Sequence, residues 1–114
     1  MAEDRDIVVV IASVALGDQK EIGGKLMSSF LGALAESENK PRQLIFSNMG
    51  VFFTAERSEV LSTLQALADS GVEIRSCDES VKYFGLEDKL RVGETISMQE
   101  MVASLTSGAN VVRL

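Results

Sequence analysis

The strand that decides the fold is predicted from residues 6–13, which read Asp-Ile-Val-Val-Val-Ile-Ala-Ser. A nearly unbroken run of β-branched apolar residues is typical of a strand that is buried on both faces. Such strands belong to sheets that helices cover on both sides, because a strand with one face in water alternates apolar and polar residues instead. We therefore predict a central strand here.

A long amphipathic helix is predicted directly after this strand, over Lys20–Glu36. Its apolar residues recur every three or four positions, which places them on one face of a helix, and Asp18 with Glu21 offers an N-terminal cap. Gly23 and Gly24 lie in its first turns, where glycine is unfavourable. We expect these two glycines to allow a close approach of the helix backbone to the sheet or to a ligand.

Strand and helix patterns continue to alternate along the rest of the chain. We predict a short strand over Gln43–Ser47, then a helix from Thr54 or Ala55 to Ser70 that ends at Gly71. A third strand over residues 71–75 and a short helix ending near Gly85 follow, and Leu90–Thr95 is a turn or a brief strand. The last two elements are a helix from the capping box Ser97–Glu100 to about Ser107 and a strand over Asn110–Leu114. One crossover helix between successive strands predicts an α/β fold, a three-layer α/β/α sandwich with a mostly parallel sheet of four or five strands. The length of 114 residues predicts a single domain over residues 1–114.

Composition excludes several classes of function. The chain has no histidine and one cysteine, so a zinc or iron–sulfur site lacks its usual ligands and no Ser-His or Cys-His pair can form within the chain. We therefore predict no metal site and no cofactor. A net charge of −6 disfavours nucleic acid or an anionic membrane as a partner. The first residues lack the basic and then apolar layout of a signal peptide, so we expect a cytoplasmic protein.

Cys77 is the candidate catalytic residue. It follows the third predicted strand, and residues 76–79 have the pattern of a capping box, so the thiol is expected at a strand's end and in a helix's first turn. The unpaired N–H groups and the positive end of the helix dipole there favour a thiolate. Asp78 and Glu79 oppose the thiolate, although their charges also suit a helix N-terminus. The alternative is a buried cysteine that packs as a small hydrophobic residue.

Parallel strands bring the loops that follow them to one edge of the sheet, where open α/β sheets bind ligands. The loops that contain Gly17, Asn48 and Gly50 are therefore expected near Cys77 as parts of one pocket, with loop amides that steady an anion. Asn48 and Gly50 also suit turns, since both residue types tolerate positive φ. The apolar residues of the run Met49–Phe53 indicate either a flap that folds back or a contact with another subunit, and we predict a homo-oligomer through them.

Several short segments that span nearly the whole chain form a recognisable set by their order and spacing. They are Glu21-Ile22-Gly23, Leu26-Met27, Phe30-Leu31, Asn48-x-Gly50-Val51, Gly71-Val72-Glu73-Ile74-x-Ser76-Cys77, Tyr83-Phe84-Gly85-Leu86, Lys89-Leu90, Val92-Gly93 and Val111-Val112-Arg113-Leu114. Together they resemble the DsrE family of small sulfur-handling proteins, and most closely the DsrE-type domain of the YedF proteins. The resemblance implies a three-layer α/β/α fold, frequent homo-oligomers, and a cysteine that accepts sulfur as a persulfide. Only Cys77 inherits that role.

The sequence departs from YedF-like proteins at two points. Ser80 stands where a second cysteine is often found, so dithiol chemistry within one chain is excluded. One helical turn after Cys77, the Ser80 hydroxyl is expected to hydrogen-bond the sulfur without resolving a persulfide. The TusA-like sulfur-carrier domain usual ahead of the YedF domain does not precede the first strand, so we expect it as a separate chain or not at all.

Three functions remain open at this stage. The favoured one is a sulfur-relay or sulfurtransferase-like protein, which accepts sulfane sulfur or selenium on Cys77 and passes it to a partner. Its expected partners are a sulfur donor or a TusA-like sulfur-carrier protein. The second is a non-catalytic oligomeric binding module in which Cys77 is inert. The third, a flavodoxin-like cofactor binder, rests on analogy of fold alone.

Overall fold

A computed structural model describes residues 6–114. The described chain forms five strands, four α-helices and one 3₁₀ helix. The strands are β1 Ile7–Ile11, β2 Gln43–Phe46, β3 Glu73–Cys77, β4 Glu94–Ile96 and β5 Asn110–Arg113; the α-helices are α1 Lys20–Glu36, α2 Leu61–Asp69, α3 Asp78–Tyr83 and α4 Met98–Leu105; the 3₁₀ helix is Asn48–Thr54.

All five strands belong to one parallel sheet in the order β4-β3-β2-β1-β5. The predicted α/β class is confirmed, with five strands. The first strand is shorter than the apolar run suggested. It is flanked by β2 and β5, and four of its five residues are at most 6% exposed, so its predicted burial is correct. The middle position of the sheet belongs to β2.

Hydrophobic clusters cover the sheet unequally on its two faces. The larger cluster joins alternate residues of β1 and β2 to buried residues of α1, α2 and α3, among them Met27, Leu64 and Val81. On the opposite face a small cluster of Val8, Val10, Ile45 and Ile96 packs against Met101, Leu105 and Ala109 in and after α4. Only one α-helix of the described chain therefore contributes to the second face.

Helix α1 begins and ends where the sequence predicts. Its N-cap is Gln19 rather than Asp18, because the Gln19 side chain accepts a hydrogen bond from the Glu21 N–H at 3.2 Å. The close approach expected for glycine occurs at Gly23, where an added Cβ would lie 2.9 Å from the Cβ of Ala15. Gly24 has open space around it, so it makes no close approach to the sheet, and its expected approach to a ligand stays a prediction.

The helix predicted from Thr54 or Ala55 begins only at Leu61. Ala55 instead forms an isolated antiparallel bridge with Leu90, which requires an extended backbone at this point. The 3₁₀ helix that precedes it was missed. The end of α2 agrees with the prediction, since Gly71 follows it with a φ of +105°.

The segment Leu90–Thr95, predicted as either a turn or a brief strand, contributes to a strand. Residues Glu94–Ile96 form β4 at one edge of the sheet. The predicted capping box at the start of α4 is confirmed: the Glu100 N–H donates to Ser97 Oγ at 3.1 Å, and the Ser97 N–H donates to Glu100 Oε1 at 3.0 Å. Strand β5 then closes the other edge.

Candidate functional site

Cys77 lies at the carboxyl end of β3 and is the N-cap residue of α3. It pairs in register with Ile96 of β4, and strand alternation places its side chain on the face of the sheet that α4 covers. The predicted position between strand and helix is therefore correct. The residue is only 4% exposed, so a reagent in solution reaches little of it in this conformation.

The capping box predicted over residues 76–79 does not form. Strand alternation turns the Ser76 side chain into the core, where its Oγ lies 2.9 Å from Thr54 Oγ1 in a hydrogen bond between two buried hydroxyls. Thr54 Oγ1 also donates to the Val51 carbonyl at 2.8 Å. Ser76 thus connects β3 to the 3₁₀ helix. The N-cap residue of α3 is Cys77, and its side chain makes no capping hydrogen bond to the first turn.

Topology predicts the loop of Asn48 near Cys77, and the structure joins Asn48 to Ser80, one helical turn after Cys77. The Asn48 N–H donates to Ser80 Oγ at 2.8 Å, so the hydroxyl joins the loop after β2 to α3. The expected hydrogen bond between Ser80 and Cys77 is absent from the bonds of residues 6–114, and that prediction is wrong for this conformation. Asn48 has a φ of +49°, which agrees with its alternative interpretation as a turn residue.

Gly50 is required by a close approach of two backbones. A Cβ added at this position would lie 2.2 Å from the carbonyl oxygen of Ile11 at the end of β1. The Gly50 N–H donates to the Ser47 carbonyl at 2.9 Å. The amides of both Asn48 and Gly50 are thus already hydrogen-bonded, and their predicted binding of an anion stays a prediction that requires these bonds to open.

Gly17 is exposed in the loop between β1 and α1, with a φ of +88° and open space around it. The neighbouring Leu16 N–H donates to the Gly23 carbonyl at 2.9 Å, which fastens this loop to α1. No hydrogen bond in the described chain joins Gly17 to Cys77, and its substrate-binding role also stays a prediction.

The apolar run after β2 is divided between the core and the surface. Val51 is fully buried, and Phe53 packs on Phe46 with ring centroids 6.2 Å apart. These two residues therefore fold back onto their own chain, which is the first of the two predicted alternatives. Met49 and Phe52 remain 46% and 37% exposed. Only this part of the run is available to a partner.

An aromatic face continues from Phe52 onto α3. The Phe52 and Phe84 rings are 5.0 Å apart, and Tyr83 meets Phe84 edge-on at 5.0 Å while remaining 83% exposed. We use "aromatic face" for Met49, Phe52, Tyr83 and Phe84. It lies beside the helix that begins directly after Cys77.

A cleft of about 700 Å³ opens between α1, the 3₁₀ helix and the segment before α2. Its apolar walls include Phe52, Phe53 and Val60, and Glu56 and Arg57 lie at its edge. None of the five predicted site residues lines it. The single pocket expected around Cys77 is therefore not the one observed here.

Arg75 is a residue near the cysteine that sequence reasoning missed. It lies two residues before Cys77 on the same face, and its guanidinium donates to the Thr95 carbonyl, with the Nε at 3.0 Å. It also forms ion pairs with Glu73 at 2.7 Å and Glu100 at 3.4 Å. The only available signal was a basic residue at the polar position of an alternating strand.

Glu100 connects Arg75 to the start of α4. Hydrogen bonding from the Ser97 backbone, joined by the Ser97 side chain and the charge of Arg75, holds the pKa of the Glu100 carboxyl below its ordinary value of 4.5. Among residues 6–114, no group of three His, Cys, Asp or Glu side chains is placed to hold a metal ion. No helix in the same range is long and apolar enough to cross a membrane.

Solved structures share this architecture over almost their whole length. The protein of unknown function MTH1491 from Methanobacterium thermoautotrophicum superposes with a TM-score of 0.70 at 22% identity, covering 95% of this chain and 97% of that one. The ychN protein from E. coli gives 0.71 at 16% identity, with the same coverages. The conserved protein of unknown function BT1422 from Bacteroides thetaiotaomicron gives 0.66 at 14% identity, covering 96% and 95%.

The fold is DsrE-like. These identities show a shared fold alone, and the closer resemblance to YedF proteins is not tested by them. Neither a protein-family model nor a curated protein sequence matches the chain.

Proposed function

We propose that this chain is a sulfur carrier in which Cys77 accepts sulfane sulfur, or selenium, and passes it to a partner. The observation that carries the proposal is the position of the only cysteine, at the carboxyl edge of a parallel sheet and at the N-cap of α3. An N-cap side chain ordinarily accepts hydrogen bonds from the first-turn N–H groups. In the described chain the N-cap position of α3 makes no such side-chain hydrogen bond, and we assign this role to a sulfur anion on Cys77.

The proposed reaction is a thiol exchange that needs no metal and no oxidant. The Cys77 thiolate attacks the terminal sulfur of a donor persulfide, forming a bond from Sγ to that sulfur while the donor's S–S bond breaks. The donor leaves as a thiolate and takes a proton from water. Because the chain has no second cysteine, the Cys77 persulfide cannot be resolved within the chain and persists until another thiol attacks it.

The aromatic face is the surface on which we place the partner, a sulfur donor or a TusA-like sulfur-carrier protein. Its exposed side chains, Met49, Phe52 and Tyr83, belong to the 3₁₀ helix after β2 and to α3, the helix that begins directly after Cys77. Exposed apolar patches of this kind are typical of protein–protein contacts. A cytoplasmic setting belongs to the proposal as well, since a lone free thiol suits a reducing compartment.

The second candidate function is a binding module with an inert Cys77, and the burial of the thiol favours it. At 4% exposure the cysteine resembles an ordinary small core residue. A carrier with this structure has to open locally around the β3–α3 junction before sulfur can enter. The two functions therefore differ in whether Cys77 becomes reachable without global unfolding.

Thiol labelling of the native protein separates these two functions. Cys77 should react with an aromatic disulfide reagent much faster than the protein unfolds globally, because local opening is less costly than unfolding. The matched control is Ser76→Cys in a Cys77→Ser background, which places a thiol one residue earlier on the opposite, core-facing side of the strand. That thiol should react only at the global unfolding rate, and equal slow rates for both would favour the inert module.

A further inference from the structure

Strand β5 is an edge of the sheet that no described element covers. All four of its residues are exposed, and Val111 and Val112 each retain 43% of their surface although they project to opposite faces. The opposite edge is different. Strand β4 has three residues, carries Glu94, and has its Thr95 carbonyl occupied by the Arg75 guanidinium. Charges and short length of this kind protect edge strands from pairing.

The hydrogen bonds of β5 reveal which of its backbone groups are free. The Asn110 N–H donates to the Asp6 carbonyl and the Leu114 N–H to the Val10 carbonyl, both at 3.0 Å. Since backbone groups alternate in direction along a strand, Val112 also faces β1, whereas the N–H and C=O groups of Val111 and Arg113 point away from the sheet. These outward groups have no backbone partner in the described chain.

We propose that β5 pairs with β5 of a second copy of this chain, antiparallel, across a two-fold axis at Val112. In this register Val111 lies opposite the partner's Arg113, and the two residues exchange both N–H···O bonds; the symmetric pair does the same. All the outward groups of both strands are then used. Val112 faces the partner's Val112 as a non-hydrogen-bonded pair, which brings two half-exposed valines into contact.

The second copy is the occupant that this edge fits, because the pattern of free groups is complementary to itself. The strand carries no carboxylate, although the whole chain has a net charge of −6, so two copies can approach here without contact between acidic groups on the strands. The dimer would continue the parallel sheet of each subunit through one antiparallel pair. It does not depend on the sulfur chemistry of Cys77.

Disulfide trapping tests the register directly. In a Cys77→Ser background, Val112→Cys should form a covalent dimer with oxidised glutathione, since Cα atoms of a non-hydrogen-bonded pair lie ~4.5 Å apart, within disulfide range. Val111→Cys in the same background is the matched control. It should link poorly, because position 111 lies opposite position 113 of the second copy, so the two introduced cysteines are offset along the strands. Equal linking by both variants, or linking by Val111→Cys alone, would overturn the proposed register.

Light scattering after gel filtration tests the edge itself. The wild type should be a dimer, or an assembly of such dimers, at tens of micromolar. Arg113→Pro should halve the mass of the assembly, because proline removes an outward N–H that the proposed interface uses. Its circular dichroism spectrum should match that of the wild type, because this N–H has no partner within the described chain. A monomeric wild type, or an Arg113→Pro variant that keeps its native assembly while Phe52→Ser loses it, would show that β5 is not the interface.

Discussion

At the scale of single residues, Gly50 sets how closely the loop after β2 approaches the end of β1. The group that an added methyl would meet is a backbone carbonyl, which cannot rotate away as a flexible side chain could. The hydrogen bond between Asn48 and Ser80 depends on this approach, because Gly50 lies in the same 3₁₀ helix as Asn48.

Gly50→Ala should therefore lower the free energy of unfolding by about 3 kcal/mol, the range typical of overpacking. Gly24→Ala is the matched control, since Gly24 lies in α1 with open space around it. That change should raise the stability by up to about 1 kcal/mol, because alanine is the better helix former. Urea unfolding measures both; equal effects of the two substitutions would contradict the close approach.

Ser80 is the residue whose interaction differs most from its prediction. Its hydroxyl accepts from the Asn48 N–H, so Ser80→Ala leaves this amide without that partner and should cost about 1 kcal/mol of stability. Ser62→Ala on α2 is the control, because Ser62 is exposed and makes no side-chain hydrogen bond in the described chain. If Ser80→Ala unfolds at the same urea concentration as the wild type, the Ser80–Asn48 bond contributes nothing.

At the scale of elements, the two predicted capping boxes show what local sequence can and cannot determine. Ser97 and Glu100 satisfy each other within four residues, so the pattern alone suffices to place the start of α4. Ser76 has the same kind of pattern, but its hydroxyl finds Thr54, which is 22 residues away in the chain. A tertiary partner that no local window contains thus replaced the cap.

The same reason explains the missed 3₁₀ helix and the imperfect prediction of the site. The run of 48–54 looks like a loop because its structure depends on the end of β1 at Gly50 and on β3 at Thr54. Topology was sufficient to predict that the loop of Asn48 lies at the same sheet edge as the start of α3, and that Cys77 lies at the strand's end. The direction of each hydroxyl and amide depended on packing, which periodicity does not encode.

The capping box of α4 predicts a specific pH dependence. The pKa of Glu100 is lower in the folded protein than its ordinary value, chiefly through the hydrogen bond from the Ser97 backbone, so the folded state favours the charged carboxylate. The contribution of Glu100 to the free energy of unfolding is therefore fully present above the pKa of the unfolded state. It is lost as the pH falls through the lower pKa of the folded state.

Glu100→Gln should accordingly be less stable than the wild type at about pH 6, with the difference shrinking as the pH falls below the ordinary glutamate range. Urea unfolding at a series of pH values measures this difference. Glu38→Gln, an exposed position outside the helices, is the control and should show no such trend. A Glu100→Gln difference that stays constant down to acid pH would contradict the role of the ionised carboxylate.

At the scale of the whole molecule, the proposed sulfur site and the proposed dimer edge lie in different parts of one sheet. Cys77 is on β3, and two strands, β2 and β1, separate it from β5. With strands ~4.8 Å apart, the association edge lies ~14 Å from the strand of the cysteine. Arg113→Pro should therefore lose the dimer and still take up sulfane sulfur as the wild type does; loss of both would mean that the site needs the second copy.

The central claim is that Cys77 carries sulfane sulfur, and the intact mass of the protein after incubation with a sulfane-sulfur donor tests it most directly. The wild type should gain the mass of one sulfur atom, lose it on reduction, and keep it in the absence of an acceptor thiol, because no second cysteine can resolve the persulfide. Cys77→Ser should gain nothing. An unchanged wild-type mass, or the same gain on Cys77→Ser, would contradict the account.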